Sequence, residues 1–202
     1  MATKNQPGSD ERKSQENNGR NGKNGQHPGG KTLHTLLEKG LRDIYSAEKQ
    51  LVEALPEVIQ AVDNEELEDA INTHLEQTRK QVMRLEKAFE RMALPLESTE
   101  KCTAMEGLIE ENKKTIREFQ RSAVRDAALI IGSQKIEHYE IAAYGSLCEL
   151  ADVLGDERLG DLLGRTLEEE EEADDILSEI AKDVNDEAAE SVTFGEEQEV
   201  YH

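Results

Sequence analysis

The segment LEKGLRDIYSAEKQLVEALPEVIQAV, from Leu37 to Val62, has the clearest helical pattern in the sequence. Apolar residues recur in it at alternating spacings of four and three, as in a helix that buries one face. Glu48 occupies a position where this pattern calls for an apolar residue, and Pro56 lies inside the pattern and predicts a kink. We therefore predict a long amphipathic helix with one carboxylate in its buried face. Its apolar stripe is Leu37, Leu41, Ile44, Leu51, Leu55, Val58 and Val62.

Three further stripes with the same spacing follow, and no strand-like alternation persists between Thr32 and Val184. The stripes run from Leu67 to Met92, from Leu129 to Leu150 and from Leu159 to Val184. Alternating spacings of four and three are typical of helices that pack at shallow angles in a bundle. The sequence therefore predicts four long helices.

The connections between the helices constrain their order in space. Asp63-Asn64 joins the first two helices tightly and Gly155-Asp156 joins the last two, so each pair forms an antiparallel hairpin. The connector Leu94–Gln120 is about as long as a helix and contains a short amphipathic piece, Ala104–Ile109. We predict an all-α fold, a ferritin-like four-helix bundle of two antiparallel hairpins with a long crossover containing a short helix.

The composition divides the chain of 202 residues into a bundle and two tails. No apolar residue occurs between Thr3 and Gly30, and such a segment cannot offset the entropy lost on ordering. We predict a disordered N-terminal tail at residues 1–31, the bundle at residues 32–184 and an acidic C-terminal tail at residues 185–202.

Charge and cysteine usage exclude several classes of partner. The net charge of −21 argues against nucleic acid, because phosphate binding needs clustered Lys and Arg. No apolar run approaches the roughly 20 residues that cross a bilayer, and no signal peptide opens the chain, so we expect no membrane partner. Cys102 and Cys148 lack the spacing of metal ligands or a disulfide framework, which favours a cytoplasmic location.

Polar residues interrupt the stripes at one height of the bundle. Glu48 lies 14 residues before Val62, and Thr78 lies 14 residues after Asn64. Glu140 and Glu170 each lie 15 residues from Gly155, on either side of it. Antiparallel neighbours equidistant from their turn face each other, so three helices bring carboxylates into one layer. Further acids follow the same faces, with Glu137 one turn before Glu140 and Asp174 four residues after Glu170. In the second helix the break is softer, formed by His74, Thr78 and Gln81.

Carboxylates buried together are costly unless they are protonated, paired or bound to metal. Glu residues on facing helices of a bundle are a known way to build a two-metal site, which is the interpretation that we favour. The alternative is salt bridging by Arg79, Arg84, Lys135 or Arg165. His74 fits either a ligand or a buried hydrogen-bond network. Tyr45, Tyr139 and Tyr144 lie within about one turn of the layer, where they fit core packing or hydrogen bonding to the ligands.

Several longer segments carry a resemblance to a known family. They are LRDIYSAEKQL (Leu41–Leu51), HLEQT (His74–Thr78), KCTAMEGLIEE (Lys101–Glu111), VRDAALI (Val124–Ile130) and QKIEHYEIAAYG (Gln134–Gly145). Together they resemble the YciE/YciF family of bacterial ferritin-like stress proteins, from about Thr32 to Val184. The resemblance implies a rubrerythrin-like two-metal bundle that is cytoplasmic, dimeric and associated with stress responses.

The resemblance also implies roles for individual residues. Glu48, Glu137 with Glu140, and Glu170 with Asp174 match the ligand positions of the first, third and fourth helices. The second helix of rubrerythrin-like sites carries Glu-x-x-His, which falls here on Glu76 and Arg79, so Glu76 is a candidate ligand and the histidine position is Arg. An offset of four residues would bring Gln77 and Gln81 instead.

Two functional hypotheses follow. The first is a stress-response protein with a non-haem di-iron centre, or one of manganese or zinc, that oxidises Fe(II) with O₂ or peroxide as a ferroxidase. The second is a non-catalytic structural or stress-assembly protein whose polar core layer is metal-free.

Overall fold

The computed structural model of the protein describes residues 32–96 and 100–199, with side chains as far as Glu190. The predicted tail at residues 1–31 lies outside the described residues. The described chain is helical and contains no strand, which confirms the predicted all-α class. None of the described helices combines the length and apolar composition of a membrane-spanning segment. The helices are α1 (Leu33–Ala61), α2 (Glu65–Arg91), α3 (Thr103–Glu118), α4 (Ala123–Val153) and α5 (Glu157–Glu199).

The four long helices form two hairpins that pack on each other. α1 contacts α2 and α4, and α5 contacts α4 and α2, so each long helix has two long neighbours. The Asn64 side chain accepts a hydrogen bond from the Leu67 N–H at 2.9 Å and caps α2. Gly155 has a φ of 76° after α4, and the Asp156 N–H donates to the Ala151 carbonyl at 2.9 Å. Both turns lie where the sequence predicts them.

The buried faces of the helices are the predicted stripes. Every member of the first stripe is buried, and α1 continues through Pro56 to Ala61. Burial of each large apolar side chain contributes about 1.5–3 kcal/mol to stability. Glu48, Thr78, Glu140 and Glu170 are each 0% exposed in the same faces. The hydrophobic core therefore surrounds a polar layer.

The crossover helix is longer than the short piece that the sequence predicts. α3 has 16 residues and packs on α1 and α4, with Met105, Ile109 and Asn112 buried. The partly buried Ile116 continues the same spacing of four and three, so the inward face extends two turns beyond Ile109, where the predicted piece ends.

The last helix continues into the segment predicted as an acidic tail. α5 ends at Glu199, whereas Val184 is the last buried residue as far as Glu190. The part of α5 that follows Val184 as far as Glu190 therefore contributes no buried side chain to the bundle. The domain boundary at Val184 stays a prediction.

The start of α4 holds the turn between α1 and α2. The buried carboxylate of Asp126 accepts hydrogen bonds from the backbone N–H of Asp63 at 3.1 Å and of Asn64 at 2.8 Å. Arg121 donates to the Val62 carbonyl at 2.7 Å, and Arg125 donates to the Ala61 carbonyl. Arg121 and Arg125 thus place positive charge at the C-terminus of α1, and Asp126 places negative charge at the N-terminus of α2. The helix dipole favours both arrangements.

We expect the substitution Asp126→Ala to lower the free energy of unfolding by about 1–3 kcal/mol, because it removes the charged acceptor of the backbone N–H groups of Asp63 and Asn64. Urea denaturation followed by circular dichroism measures this change. Asp183→Ala, which removes an exposed carboxylate from α5, is the matched control and should change stability by less than about 0.5 kcal/mol. Equal effects of the two substitutions would show that Asp126 does not hold the turn.

Candidate metal centre

All four long helices contribute side chains to one buried cluster in the core. α1 provides Glu48, α2 provides His74, α4 provides Glu137 and Glu140, and α5 provides Glu170. None of these residues is more than 8% exposed, and three of the carboxylates are 0% exposed. Each occupies a position of its helix where the stripe pattern points inward, so the same periodicity that builds the core builds the cluster.

The distances in the cluster suit ligands of metal ions. One ligand atom from each of His74, Glu137, Glu140 and Glu170 lies within 4.8 Å of the others. His74 Nε2 is 3.5 Å from Glu137 Oε1, and His74 Nδ1 is 4.0 Å from Glu170 Oε2. Glu48 lies beside this group and accepts a hydrogen bond from the buried hydroxyl of Tyr144. The carboxylates of α1, α4 and α5 and the imidazole of α2 therefore converge on one space.

Most polar atoms of the cluster have no hydrogen-bond partner among the described residues. These eight buried atoms are Oε2 of Glu48 and Glu137, both carboxylate oxygens of Glu140 and Glu170, and both ring nitrogens of His74. An unsatisfied buried polar atom costs about 1–3 kcal/mol, so a fold that retains so many of them needs a partner for them. Carboxylate oxygens with one imidazole nitrogen form a donor set that suits iron, manganese or zinc.

Burial changes the protonation of the cluster. Burial raises the pKa of Glu48, Glu137 and Glu140 well above the usual range, and the charges of neighbouring carboxylates raise it further. Burial raises the pKa of Glu170 to about 8 and lowers the pKa of His74 to about 4. At neutral pH the imidazole is therefore neutral and can donate a lone pair, whereas the carboxyl groups must release protons when they bind a cation.

The four cations of the salt-bridging alternative form no direct ion pair with the cluster, although the charge of Arg84 lowers the pKa of Glu48 and Glu170. Arg79 pairs with the exposed Glu76, and Lys135 pairs with Glu111 on α3. Arg84 binds Glu169 at 2.7 Å rather than a member of the cluster, and Arg165 is exposed. Among the described residues, no Lys or Arg forms an ion pair with the cluster.

The structure does not bring two of the six predicted ligands into the cluster. The side chain of Glu76 is 62% exposed and accepts a hydrogen bond from Arg79. Asp174 lies at the edge, where its Oδ1 is buried without a partner and its Oδ2 is 3.4 Å from His138. Glu76 is placed away from the core because it is out of phase with the stripe of α2, whereas Asp174 is one turn from Glu170.

His74 is the residue of α2 that lies in the cluster, whereas the resemblance implies Glu76 at this point. It belongs to the stripe Leu67, Ile71, His74, Thr78 and Gln81, so its inward direction follows from the sequence pattern. The residue three positions before it is Ile71, where a Glu-x-x-His pair would carry the glutamate. The second helix therefore contributes a single candidate ligand, from a position that the family offset does not indicate.

Two hydrogen-bond networks border the cluster. Arg84 donates to Thr166 at 2.6 Å and to both oxygens of Glu169, and Gln81 donates to Glu169 at 3.0 Å. On another side, the Cys102 thiol lies 3.0 Å from the Tyr139 hydroxyl, which donates to Asp43 at 2.9 Å. Cys102 gave no functional signal in the sequence because the contact depends on how the crossover packs against α1 and α4.

The comparisons with known proteins agree with this architecture. Residues 32–190 match the family described as "Domain of unknown function (DUF892)". Protein YciF of Escherichia coli (strain K12) is 45% identical over 151 residues, which are 75% of this chain and 91% of that protein. The crystal structure of the E. coli stress protein YciF aligns at a TM-score of 0.74 with 44% identity, covering 78% of this chain and 99% of that one.

A second solved relative comes from Rhodopseudomonas palustris. It is YcfI, whose description proposes a structural protein, and it aligns at a TM-score of 0.70 with 40% identity. The alignment covers 73% of this chain and 93% of the relative.

The fold and the cluster define a class of protein, a ferritin-like helical bundle with carboxylates and a histidine buried at its centre. Within that class the chain belongs to the DUF892 family, and it is similar to the E. coli stress protein YciF over most of its length.

The protonation of the cluster makes stability depend on pH. Between pH 7 and 8, His74 is neutral in the folded state and mostly neutral in the unfolded state, whereas Glu170 holds a proton mainly in the folded state. The folded protein then binds more protons than the unfolded chain, so we expect the free energy of unfolding of the metal-free protein to fall as the pH rises. Each carboxyl group in this condition contributes a slope of about 1.4 kcal/mol per pH unit.

Urea denaturation of chelator-treated protein at several pH values in this range measures the slope. The variant Glu140→Gln cannot ionise at that position and should show a shallower slope than the wild type. A free energy of unfolding that stays constant or increases with pH in the wild type would contradict the assigned protonation.

Proposed function

We propose that the chain is a ferritin-like stress-response protein that binds a non-haem di-iron centre, or another di-metal centre, between Glu48, His74, Glu137, Glu140 and Glu170. The observation that carries this proposal is the set of eight buried cluster atoms without a hydrogen-bond partner. Two divalent cations would balance the charges of four ionised carboxylates and remove the repulsion between them. Asp174 is a further candidate ligand, because its Oδ1 is buried without a hydrogen-bond partner and its charge helps to raise the pKa of Glu137.

The residues around the cluster support binding of a redox-active metal. A bound iron pair would supply one-electron chemistry, so that Fe(II) is oxidised to Fe(III) while O₂ or peroxide is reduced. The Tyr144 hydroxyl donates a hydrogen bond to Glu48 and fixes the direction of that carboxylate. Arg84 is held by Glu169, and its positive charge lowers the pKa of Glu48 and Glu170. The neutral His74 offers one ring nitrogen as a ligand, and we propose that the protein acts as a ferroxidase on this basis.

Location and assembly belong to the same proposal. Cys102 and Cys148 are free, as expected for a protein of a reducing compartment, and we propose a cytoplasmic location. The resemblance to the YciE/YciF family supports a homodimer. Nucleic acid is not among the proposed partners, because the chain carries a net charge of −21.

Iron loading tests the metal proposal directly. We expect protein loaded anaerobically with Fe(II) and then desalted to retain about two iron atoms per chain. Glu140→Ala should lose more than half of this iron, because it removes two unpartnered oxygens from the centre of the cluster. Glu168→Ala, which removes an exposed acid of the same acidic run, is the matched control and should bind as the wild type does.

Elemental analysis gives the iron content, and O₂ consumed per Fe(II) added gives the ferroxidase activity. Retention of fewer than about 0.3 iron atoms per wild-type chain would contradict the proposal, since a structural site of this kind binds stoichiometrically. Iron binding without O₂ consumption would support the metal site and contradict the proposed ferroxidase activity.

A second pair of variants shows whether the ligand of α2 is His74, which lies in the buried stripe, or Glu76, which the resemblance implies. His74→Ala should weaken Fe(II) binding by about 10–100-fold, whereas Glu76→Ala should leave it unchanged because Glu76 is exposed and paired with Arg79. Titration with Fe(II) under anaerobic conditions measures both affinities, and thermal unfolding of each variant checks that it is folded. The opposite result would place the ligand of the second helix at Glu76.

A structural role is the second candidate function, favoured by the description of the relative YcfI as a proposed structural protein. If the polar layer holds no metal, Glu140→Leu should stabilise the protein, as apolar replacements of buried charged groups often do. If the layer holds iron, the loaded wild type should have a higher Tm than Glu140→Leu in the same buffer.

A further inference from the structure

A cavity of about 260 Å³ lies beside the carboxylate cluster and is lined by residues of all five helices. His74 and Glu137 form part of its wall, so the cavity and the candidate metal centre share two residues. Most of the remaining wall is apolar, and includes Leu55, Ile71, Ile109 and Ile136. An apolar cavity of roughly 150 Å³ accommodates benzene, so this one has room for about ten non-hydrogen atoms.

A buried amide interrupts the apolar wall. Asn112 of α3 is 3% exposed, and no donor of the described residues reaches its Oδ1. A Cβ atom at Gly132 of α4 would lie 1.8 Å from this oxygen, so a glycine is needed opposite the amide. Rotation of the amide by half a turn exchanges its donor and acceptor, so Asn112 can bind either kind of polar group. The buried hydroxyl of Ser133 lies in the same wall.

The charges of the lining residues limit what can enter. Glu57, Asp69 and Glu172 lie at the exposed parts of the lining, and the single cation, Lys113, is 3.8 Å from Glu57. Negative charge near the opening disfavours an anionic ligand. Transfer of an ammonium group to the buried position of Asn112 would be costly as well. A neutral molecule fits both constraints.

We propose that this cavity binds a small neutral molecule of about ten non-hydrogen atoms, with an apolar body and one hydroxyl or amide group that hydrogen-bonds to Asn112. His74 and Glu137 form the wall that such a ligand shares with the cluster. The proposal concerns a second site, and it does not depend on occupation of the cluster by metal.

Isothermal titration calorimetry of the metal-free full chain tests the proposal with three probes. We expect 4-propylphenol to bind at one site with a Kd below about 1 mM, as suits a ligand of this size. 3-Phenylpropanoate, which is similar in size and negatively charged, should bind at least about tenfold more weakly. Propylbenzene lacks the hydroxyl group and should also bind more weakly than the phenol.

Variants of the wall locate the binding. Ala54→Phe fills the cavity from α1 and should abolish binding of 4-propylphenol, whereas Ala142→Phe, at an exposed position of α4, should not change it. Ala70→Leu fills the cavity from α2 and replaces Ala54→Phe if that variant does not fold. Asn112→Leu should remove the preference for 4-propylphenol over propylbenzene by replacing the hydrogen-bonding group with an apolar one.

The absence of saturable binding by the wild type, or binding that survives the filled cavity, would overturn the proposal. Equal affinities for the phenol and the carboxylate, or a preference that survives Asn112→Leu, would overturn the assigned ligand class. Because the titrations use metal-free protein, their failure leaves the iron content of the loaded protein as an independent result.

Discussion

The structure depends on one constraint, the burial of four carboxyl groups and an imidazole where a helical bundle ordinarily has only apolar side chains. Glu140 and Glu170 are 0% exposed, and none of their carboxylate oxygens has a hydrogen-bond partner among the described residues. Isolated charges in such a place cost several kcal/mol each, so the groups hold protons or share cations. The raised pKa values of the carboxyl groups and the lowered pKa of His74 are the two signs of this burial. A metal pair would satisfy the same atoms at once and would explain why their cost is tolerated.

The rest of the bundle keeps these groups in one layer. Asp126 and the arginines beside it join the second hairpin to the turn of the first, so that the two hairpins keep a fixed register. Tyr144 and Arg84 lie next to the cluster and direct carboxylates through hydrogen bonds and charge. The crossover helix α3 covers α1 and α4 and contributes Asn112 to the neighbouring cavity. Each of the four long helices therefore contributes a buried polar side chain to the same layer.

The spacing of apolar residues predicts most of the fold and part of the site. Spacing places Glu48, Glu140 and Glu170 on buried faces, and equal distances from the turns place them at one height. The same spacing places His74 inward and Glu76 outward, whereas the Glu-x-x-His offset of the resemblance points to Glu76. The spacing of apolar residues does not predict the contacts of the crossover. The positions of Asn112 and Cys102 depend on how the crossover packs against α1 and α4. The full length of α3 is not evident from its apolar residues, because the buried Asn112 lies between Ile109 and Ile116.

Anomalous X-ray diffraction at the iron edge, from crystals of iron-loaded protein, shows whether iron occupies the carboxylate cluster. The account predicts two anomalous peaks in the space between Glu48, His74, Glu137, Glu140 and Glu170, at the separation of about 3.5–4 Å that is typical of two-metal sites. Peaks confined to the exposed acids of α5, or no peak in the core of crystals whose protein is fully folded, would contradict it. In that case the buried carboxyl groups would be held by protons alone, and the layer would be a structural feature of the bundle.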